Sequence, residues 1–345
     1  MNPASGLDFK RRSRSFITLA LSLVAGIGLI VVLPLASSVR WQEVIARSLA
    51  VDRMAFLRLA LLFALSSFLS SEKWRMTDRV ICHGEGDPVP RSTAFVLTTV
   101  GVALGQFLPI QVTMSLARTL GTFVHGRALR RGTVATLFEQ SFDLFVTVLM
   151  VMAAAGTRLL RGGAALWLAL ALAGAVLAVS AVGTLMNVAD WLTARLAAKR
   201  TRVARWRSAI AELRESGLFQ AGLARRLTLI SLARFVLLVL MASQVSTGIH
   251  LAIPLWRLAS AVPFGLLVAV AGITPGGLGL AEAANAAALD LSGIPLAVST
   301  QWAIANRLLS IAAVFVVAGF GVVLLVARKV FPGSRTESPQ NAAQQ

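Results

Sequence analysis

Long apolar segments separated by short polar ones run through almost the whole chain. Most of the apolar segments have the length of a helix that crosses a bilayer, which takes about 20 residues. Arginines are concentrated in the polar segments between them. The pattern therefore predicts an all-α, polytopic membrane helix bundle with about six full spans, at residues 15–36, 54–71, 132–156, 164–188, 227–249 and 298–326.

Two further apolar segments, 94–125 and 258–292, are too long for one crossing and short for two. Pro109 interrupts the first and Pro275 the second, and proline removes a backbone donor and disfavours helix in the residue before it. Each segment is predicted to be a re-entrant hairpin of two half-helices. The alternative is that the prolines only kink helices and help them pack.

The basic residues predict the orientation. If the N-terminus is cytoplasmic and each hairpin returns to its own side, most of the 33 Lys and Arg residues lie in cytoplasmic segments, Lys73 among them. Positive charge is enriched on the cytoplasmic side of membrane proteins. Both termini are therefore predicted to be cytoplasmic.

This order of spans makes the second half of the chain an inverted copy of the first. Residues 15–156 and 164–326 each contain two spans, one hairpin and a final span. Inverted repeats with broken helices are a recurring architecture of secondary transporters. A basic connector at 191–226 is predicted to be amphipathic and cytoplasmic, either as a helix lying in the membrane interface or as simple positive-inside anchoring.

Composition agrees with a membrane protein and limits the other classes. The chain is 57% hydrophobic and 14% charged, with a mean hydropathy of +0.76. Its 345 residues suit a single membrane domain over 15–330, flanked by a basic N-terminus at 1–14 and a disordered tail at 331–345. The net charge of +18 is attributed to loops that face anionic lipids of the cytoplasmic leaflet, and nucleic acid is not expected as a partner. One cysteine, Cys82, excludes an intrachain disulfide.

Charged side chains inside the predicted spans and hairpins are the candidate functional groups. Such groups are costly in a bilayer, so they face the bundle interior and have partners. Glu139 and Asp143, four residues apart, share one helical face. Either a structural network or a pathway for a lipid phosphate or a proton would account for the set Arg118, Glu139, Asp143, Arg234, Glu282 and Arg307.

Residues 273–284, ITPGGLGLAEAA, form the second candidate feature. If Gly276, Gly277 and Gly279 form a turn after Pro275, Glu282 lies in the first turn or so of the next half-helix. There it would cap amide donors, hold an arginine or carry a proton. Arginine would be the better phosphate ligand, because its guanidinium donates two parallel hydrogen bonds.

Signatures of enzymes and of metal or nucleotide binding are missing from the sequence. The three histidines show no metal-ligand spacing, and there is no P-loop, G-x-S-x-G elbow or dinucleotide fingerprint. The chain is therefore expected not to be an enzyme and to use no cofactor or metal.

Several motifs together resemble one family. The residues Pro275-Gly276-Gly277-Leu278-Gly279 with Glu282, then Gly293-Ile294 and Asn306-Arg307, resemble the C-terminal signature of the lysylphosphatidylglycerol synthase transmembrane region family, also called flippase-like domain proteins. Trp74-Arg75, Pro109 with Arg118, and Glu139 with Asp143 resemble its earlier blocks. The chain departs from the family pattern at residues 111–115, which lack the usual glycine and acidic residue, and at Gln140, where arginine is common.

The resemblance implies a multi-pass protein of the bacterial inner membrane that moves, or helps to move, a lipid or lipid-linked group between leaflets. In the best-known relatives this region precedes a soluble aminoacyl-transferase domain. The printed chain ends at residue 345 without such a domain, so aminoacyl transfer to a lipid is not expected.

Three functions compete at this point. The first is a flippase-like transporter that works without ATP hydrolysis on an anionic or lipid-linked headgroup, with a phospholipid or lipid-linked molecule as its substrate. The second is a membrane-embedded transferase for lipids or lipid-linked sugars, with Glu139 and Asp143 as its carboxylates. The third is a non-catalytic partner that recruits a lipid-modifying enzyme through 191–226. The sequence does not determine the oligomeric state, and a homodimer is one of the alternatives.

Overall fold

The computed structural model describes residues 23–81, 89–126, 129–199, 215–271 and 274–330. Over these ranges the chain is a bundle of α-helices without strands. In chain order the helices are α1 (Leu23–Ala36), α2 (Trp41–Leu49), α3 (Arg53–Ile81), α4 (Arg91–Leu104), α5 (Ile110–Val124), α6 (Leu129–Leu159), α7 (Ala164–Lys199), α8 (Ala221–Gly248), α9 (Leu255–Ala271), α10 (Leu280–Asp290) and α11 (Leu296–Val330).

The predicted all-α, polytopic membrane bundle is confirmed. In the described part of the chain, five helices are long and apolar enough to cross a membrane, namely α3, α6, α7, α8 and α11. A sixth candidate is the pair α1 and α2, which is bent by 100° at the residues between them. Both predicted breaks also exist, because the helix ends at Leu104 before Pro109 and at Ala271 before Pro275.

Three boundaries differ from the predicted ones. Helix α3 continues ten residues beyond the predicted end of its span and carries Lys73 into the interior. Helix α2 was not predicted, because its nine residues mix charged and apolar side chains and fall below the length of a span. Residues 191–199 of the predicted connector continue helix α7, and α8 begins at Ala221.

Some predictions concern residues outside the described ones. They are the basic N-terminus at 1–14, the first part of the first span at 15–22, the middle of the connector at 200–214 and the tail at 331–345.

The two broken segments enter the bundle from opposite ends, and their turns meet in its middle. Helix α4 packs against α5, and α9 packs against α10. Gly276 in the second turn adopts φ +58, and a Cβ there would lie 2.7 Å from the carbonyl oxygens of both Gly105 and Gln106 in the first turn. Only glycine allows this approach, since it lacks a Cβ and readily adopts positive φ.

The inverted repeat stays a prediction, and the helices of the two halves pack in a reciprocal pattern. Helix α4 of the first half packs against α11 of the second, and its counterpart α9 packs against α6 of the first. The equivalent helices α3 and α8 pack against each other. The first helix of each broken pair therefore packs against the last span of the other half, and the second helix packs against the last span of its own half. Re-entry of the two hairpins into a membrane stays a prediction.

At one end of the bundle, four helices end in the same way. A residue with left-handed φ follows each helix, and the next residue's N–H returns to a carbonyl five positions earlier, which is a Schellman motif. The left-handed residues are Ser38, Arg161, His250 and Gly293. Because the predicted orientation places this end outside the cytoplasm, it is called the outer end below.

Candidate functional site

A fully buried ion pair joins α5 to α6. The guanidinium of Arg118 hydrogen-bonds Glu139 through Nη1, and both side chains are almost completely buried. Its Nη2 donates to the hydroxyl of Ser70 at 2.8 Å. The Trp74 ring lies 5.6 Å from the guanidinium carbon, within cation–π range. Arg118 is thus fixed by an anion, a hydroxyl and an aromatic face.

A second ion pair extends this cluster towards α8. Lys73 Nζ lies 2.6 Å from Asp143 Oδ1 and 3.4 Å from Glu139 Oε2, so it bridges the two carboxylates. Ser231 accepts from Lys73 at 2.7 Å and donates to Asp143 at 2.6 Å. Arg234 hydrogen-bonds the other oxygen of Asp143. We call Lys73, Arg118, Glu139, Asp143 and Arg234 the central cluster.

The central cluster holds three cations and two anions and therefore has a surplus of one positive charge. Its interior members, Lys73, Arg118 and Glu139, are fully buried, whereas the side chains of Asp143 and Arg234 are 31% and 19% exposed. The Nε group of Arg234 has no hydrogen-bond partner among the described residues. A buried charge without a counterion is costly, so the Arg234 end of the cluster favours an additional anion.

A cavity of about 350 Å³ opens onto this end of the central cluster. Most of its wall is apolar, and the charged residues in its lining are Glu139, Asp143 and Arg234. Such a volume and such a lining, with a few polar groups in an apolar wall, are typical of small-molecule sites. The remaining wall comes from α4, α5, α6, α8 and α9 and includes Val102, Ile110, Met114, Leu144, Phe235 and Leu266.

The second group of charges lies where the two turns meet. Arg307 on α11 donates to the carbonyl oxygen of Gly276 at 3.0 Å and to that of Gln106 at 3.1 Å. Glu282, in the first turn of α10, lies 3.5 Å from Arg307 Nε through its Oε1. One guanidinium therefore holds both turns together, and we call Arg307, Glu282, Gly276 and Gln106 the tip cluster.

The remaining glycines and proline of the second turn shape the tip without charged contacts. Pro275 and Gly277 are buried in a short 3-10 turn. Gly279, at φ +77, approaches the backbone of Gly26 on α1 so closely that a Cβ would collide with the Gly26 carbonyl oxygen. Gln111, just after the first turn, donates to Val270 O at 3.1 Å, and both residues line the cavity. This hydrogen bond therefore joins the two broken segments at the wall of the cavity, next to the tip cluster in the sequence.

Each half of the chain has an arginine–glutamate pair between its broken helix pair and its last span, and the two residues are on opposite helices in the two halves. In the first half the arginine, Arg118, is on the second helix of the broken pair and the glutamate, Glu139, is on the following span. In the second half the glutamate, Glu282, is on the broken pair and Arg307 is on the span. The two ion pairs therefore lie at equivalent positions in the two halves, but the arginine and the glutamate have exchanged helices.

All six charged residues predicted from the sequence are found in these two clusters. The predicted cytoplasmic location of Lys73 is wrong, because its side chain is fully buried against Asp143 and Glu139. The sequence of α3 contains a signal for this burial, since a buried polar stripe at helical spacing comprises Ser66, Ser67, Ser70, Ser71, Lys73 and Thr77. Ser231 could have been found in the same way, three residues before Arg234 on α8.

Comparison with known proteins identifies the family. Residues 17–319 match the family described as the lysylphosphatidylglycerol synthase TM region. No curated protein matches the chain. The matched range covers the central cluster, the cavity and the tip cluster, and it agrees with the motifs noted in the sequence. The chain therefore belongs to the lysylphosphatidylglycerol synthase transmembrane region family and is an integral membrane protein.

Proposed function

We propose that this protein is a flippase-like transporter that moves the polar headgroup of a phosphate-bearing lipid between leaflets without ATP hydrolysis. The observation that carries the proposal is the cavity of about 350 Å³, which has an apolar wall and a charged end and lies between two broken helix pairs. The family adds a relation to lipid metabolism or transport.

The charge of the cavity supports an anionic headgroup. Arg234 lines the cavity, and the central cluster has one more cation than anions. A phosphate diester would supply the missing negative charge and accept charge-assisted hydrogen bonds from the guanidinium. These contacts offset the free energy that the headgroup needs to leave water, which is the main barrier to its crossing.

The tip cluster supports a gating role. Arg307 joins the turn of the first broken pair to that of the second, so the two pairs meet at a single guanidinium. In transporters with inverted repeats, one part of the bundle rocks against the other around a central site. In this proposal, separation of the two turns opens the cavity to the other side, and the acyl chains stay in the surrounding lipid.

The proposed function also specifies where the protein lies and that it forms or breaks no covalent bond of the lipid. It places the protein in the bacterial inner membrane with cytoplasmic termini, and it gives the protein no catalytic residue. Glu139 and Asp143 both have protein cations as partners, which suits a binding site for an anion better than a pair of acid and base carboxylates. The proposal also includes a lipid-modifying enzyme as a partner.

Reconstitution into liposomes tests the proposal. The vesicles carry a phosphatidylglycerol labelled on its headgroup, and dithionite, which does not cross the bilayer, bleaches only the label in the outer leaflet. With the protein present, the inner-leaflet label should also be bleached, in the absence of any nucleotide. If the label in the inner leaflet stays protected in vesicles that contain folded protein, the transport function is wrong.

A further inference from the structure

We propose that the outer end of the bundle contains a second anion site, separate from the central cavity, which binds the phosphate group of a lipid headgroup or free phosphate. The site is a pocket of about 220 Å³ where the end of α6 meets α9 and the turn after α10. Two arginines, Arg158 and Arg161, line it, together with Thr157, Trp256, Ser260, Leu291 and Ser292.

Neither arginine is neutralised by the protein. In the part of the chain that the structure describes, no carboxylate lies within 4 Å of the guanidinium of Arg158 or Arg161, whereas Arg118, Arg234 and Arg307 each have one. The pocket therefore has two positive charges next to each other without a counterion. Two such guanidiniums repel each other and attract an anion, and their planar donors match phosphate oxygens.

Arg158 is held in place before a ligand arrives. Its Nη2 donates to Ala288 O at 2.6 Å, a carbonyl in the last turn of α10 that has no helical partner. Its guanidinium carbon lies 5.0 Å from the centre of the Phe264 ring. Capping the helix uses one donor of this side chain, and the others stay free for a ligand. A fixed side chain loses little conformational entropy on binding, which favours affinity.

Arg161 occupies a position where a glycine would be expected. It is the left-handed residue of the Schellman motif that ends α6, at φ +49. Glycine is the usual residue at this position, because any side chain is strained there. The backbone motif does not need an arginine, since Ser38, His250 and Gly293 occupy the same position in the other three motifs. At Arg161 this position places a guanidinium at the pocket.

The hydroxyls of the pocket complement a headgroup. The Thr157, Ser260 and Ser292 hydroxyls donate to backbone carbonyls at 2.8, 2.8 and 2.6 Å. Their oxygens can therefore only accept from a ligand. The guanidiniums would bind the phosphate, and the hydroxyl oxygens suit a hydroxyl or ammonium group beside it. The volume is below about 300 Å³, the lower end of pockets for drug-sized ligands, which favours a headgroup-sized ligand.

Binding of glycerol phosphate and of inorganic phosphate to the purified protein, in uncharged detergent micelles and followed by calorimetry, tests the site. We expect saturable binding by the parent and a loss of affinity of about tenfold or more in Arg158→Gln and Arg161→Gly, because each removes one charge-assisted contact. Arg161→Gly is the sharper variant, since glycine suits the backbone and the helix end is retained. Arg47→Gln, which removes an exposed arginine from the same end, is the matched control and should bind like the parent.

Two results overturn the site: parent-like affinity in Arg161→Gly, or an equal loss in Arg47→Gln, which would indicate only diffuse attraction. Arg234→Gln separates this site from the central cavity, because it should leave the binding unchanged. Loss of binding in Arg234→Gln alone would assign the anion to the central cavity and contradict the second site. Since the assay measures binding, it does not depend on transport.

The source of the phosphate is identified by native mass spectrometry from nanodiscs that contain phosphatidylglycerol. If a lipid is the ligand, the parent retains at least one phosphatidylglycerol more than Arg161→Gly does. If the parent and the variant retain equal numbers while the calorimetric difference persists, the ligand is a soluble phosphate.

Discussion

The Arg307 guanidinium donates to Gly276 O at 3.0 Å and, through its other terminal nitrogen, to Gln106 O at 3.1 Å. These two carbonyls belong to the turns of two broken helix pairs that come from opposite halves of the chain. A single side chain on α11 therefore joins the two halves of the inverted repeat at the middle of the bundle.

Replacing Arg307 by lysine tests this bridge. Lysine keeps the charge but lacks the planar fork that reaches two carbonyls at once, so one buried carbonyl loses its partner. Leaving such a group unsatisfied costs about 1–3 kcal/mol. The unfolding midpoint of Arg307→Lys in detergent should be lower than that of the parent, and that of Arg47→Lys, an exposed control, should not. Equal midpoints for all three proteins would refute the bridging role.

Gly276→Ala tests the contact between the turns. The new methyl group would lie 2.7 Å from two carbonyl oxygens of the first turn, at a φ of +58 that alanine avoids. Strain of this kind costs about 1–3 kcal/mol, and relief requires the turns to separate. Gly319→Ala on α11 is the matched control, because a Cβ there meets nothing within 4 Å. Thermal unfolding should show a loss of stability only in Gly276→Ala, and a parent-like Gly276→Ala would mean that the turns do not touch.

Double-mutant cycles measure the coupling energy between Arg118 and Glu139 in the central cluster. Removing one partner of the buried Arg118–Glu139 pair leaves an uncompensated charge, and such losses amount to about 3–5 kcal/mol. Arg118→Gln and Glu139→Gln should each destabilise the protein strongly, and the double variant by much less than their sum.

The exposed pair Arg58–Asp52, at 3.9 Å, provides the comparison for that cycle. Its coupling should be about 1 kcal/mol or less. If the two pairs have the same coupling energy, Arg118 and Glu139 are not buried together as described.

Sequence reasoning located those features that depend on local chemistry. Pro109 and the glycines around Pro275 interrupt apolar segments that are too long for one crossing, so both turns could be predicted. Glu139 and Asp143 share a face by helical spacing alone. The six charged residues were costly enough in an apolar segment to be recognised individually.

The features that were not predicted from the sequence depend on contacts between residues that are far apart in the chain. Lys73 follows an apolar segment closely, so its position alone suggested a loop. Its burial results from Asp143, 70 residues later, and Ser231, 158 residues later. The same limit applies to Arg307, whose two carbonyl partners are far apart in sequence and could not be paired by inspection. The 100° bend between α1 and α2 falls at Ser38, whose left-handed φ of +57 is not signalled by its residue type, next to a buried cluster that includes Val44 and Ile304.

Headgroup translocation by Arg234→Gln in liposomes tests the central claim most directly. Arg234 is the arginine that lines the cavity, and loss of a charge-assisted contact should slow translocation by about tenfold or more. The account predicts that Arg234→Gln translocates labelled phosphatidylglycerol at least that much more slowly than the parent, whereas Arg47→Gln keeps the parent rate. A folded Arg234→Gln that translocates the lipid at the parent rate would contradict it.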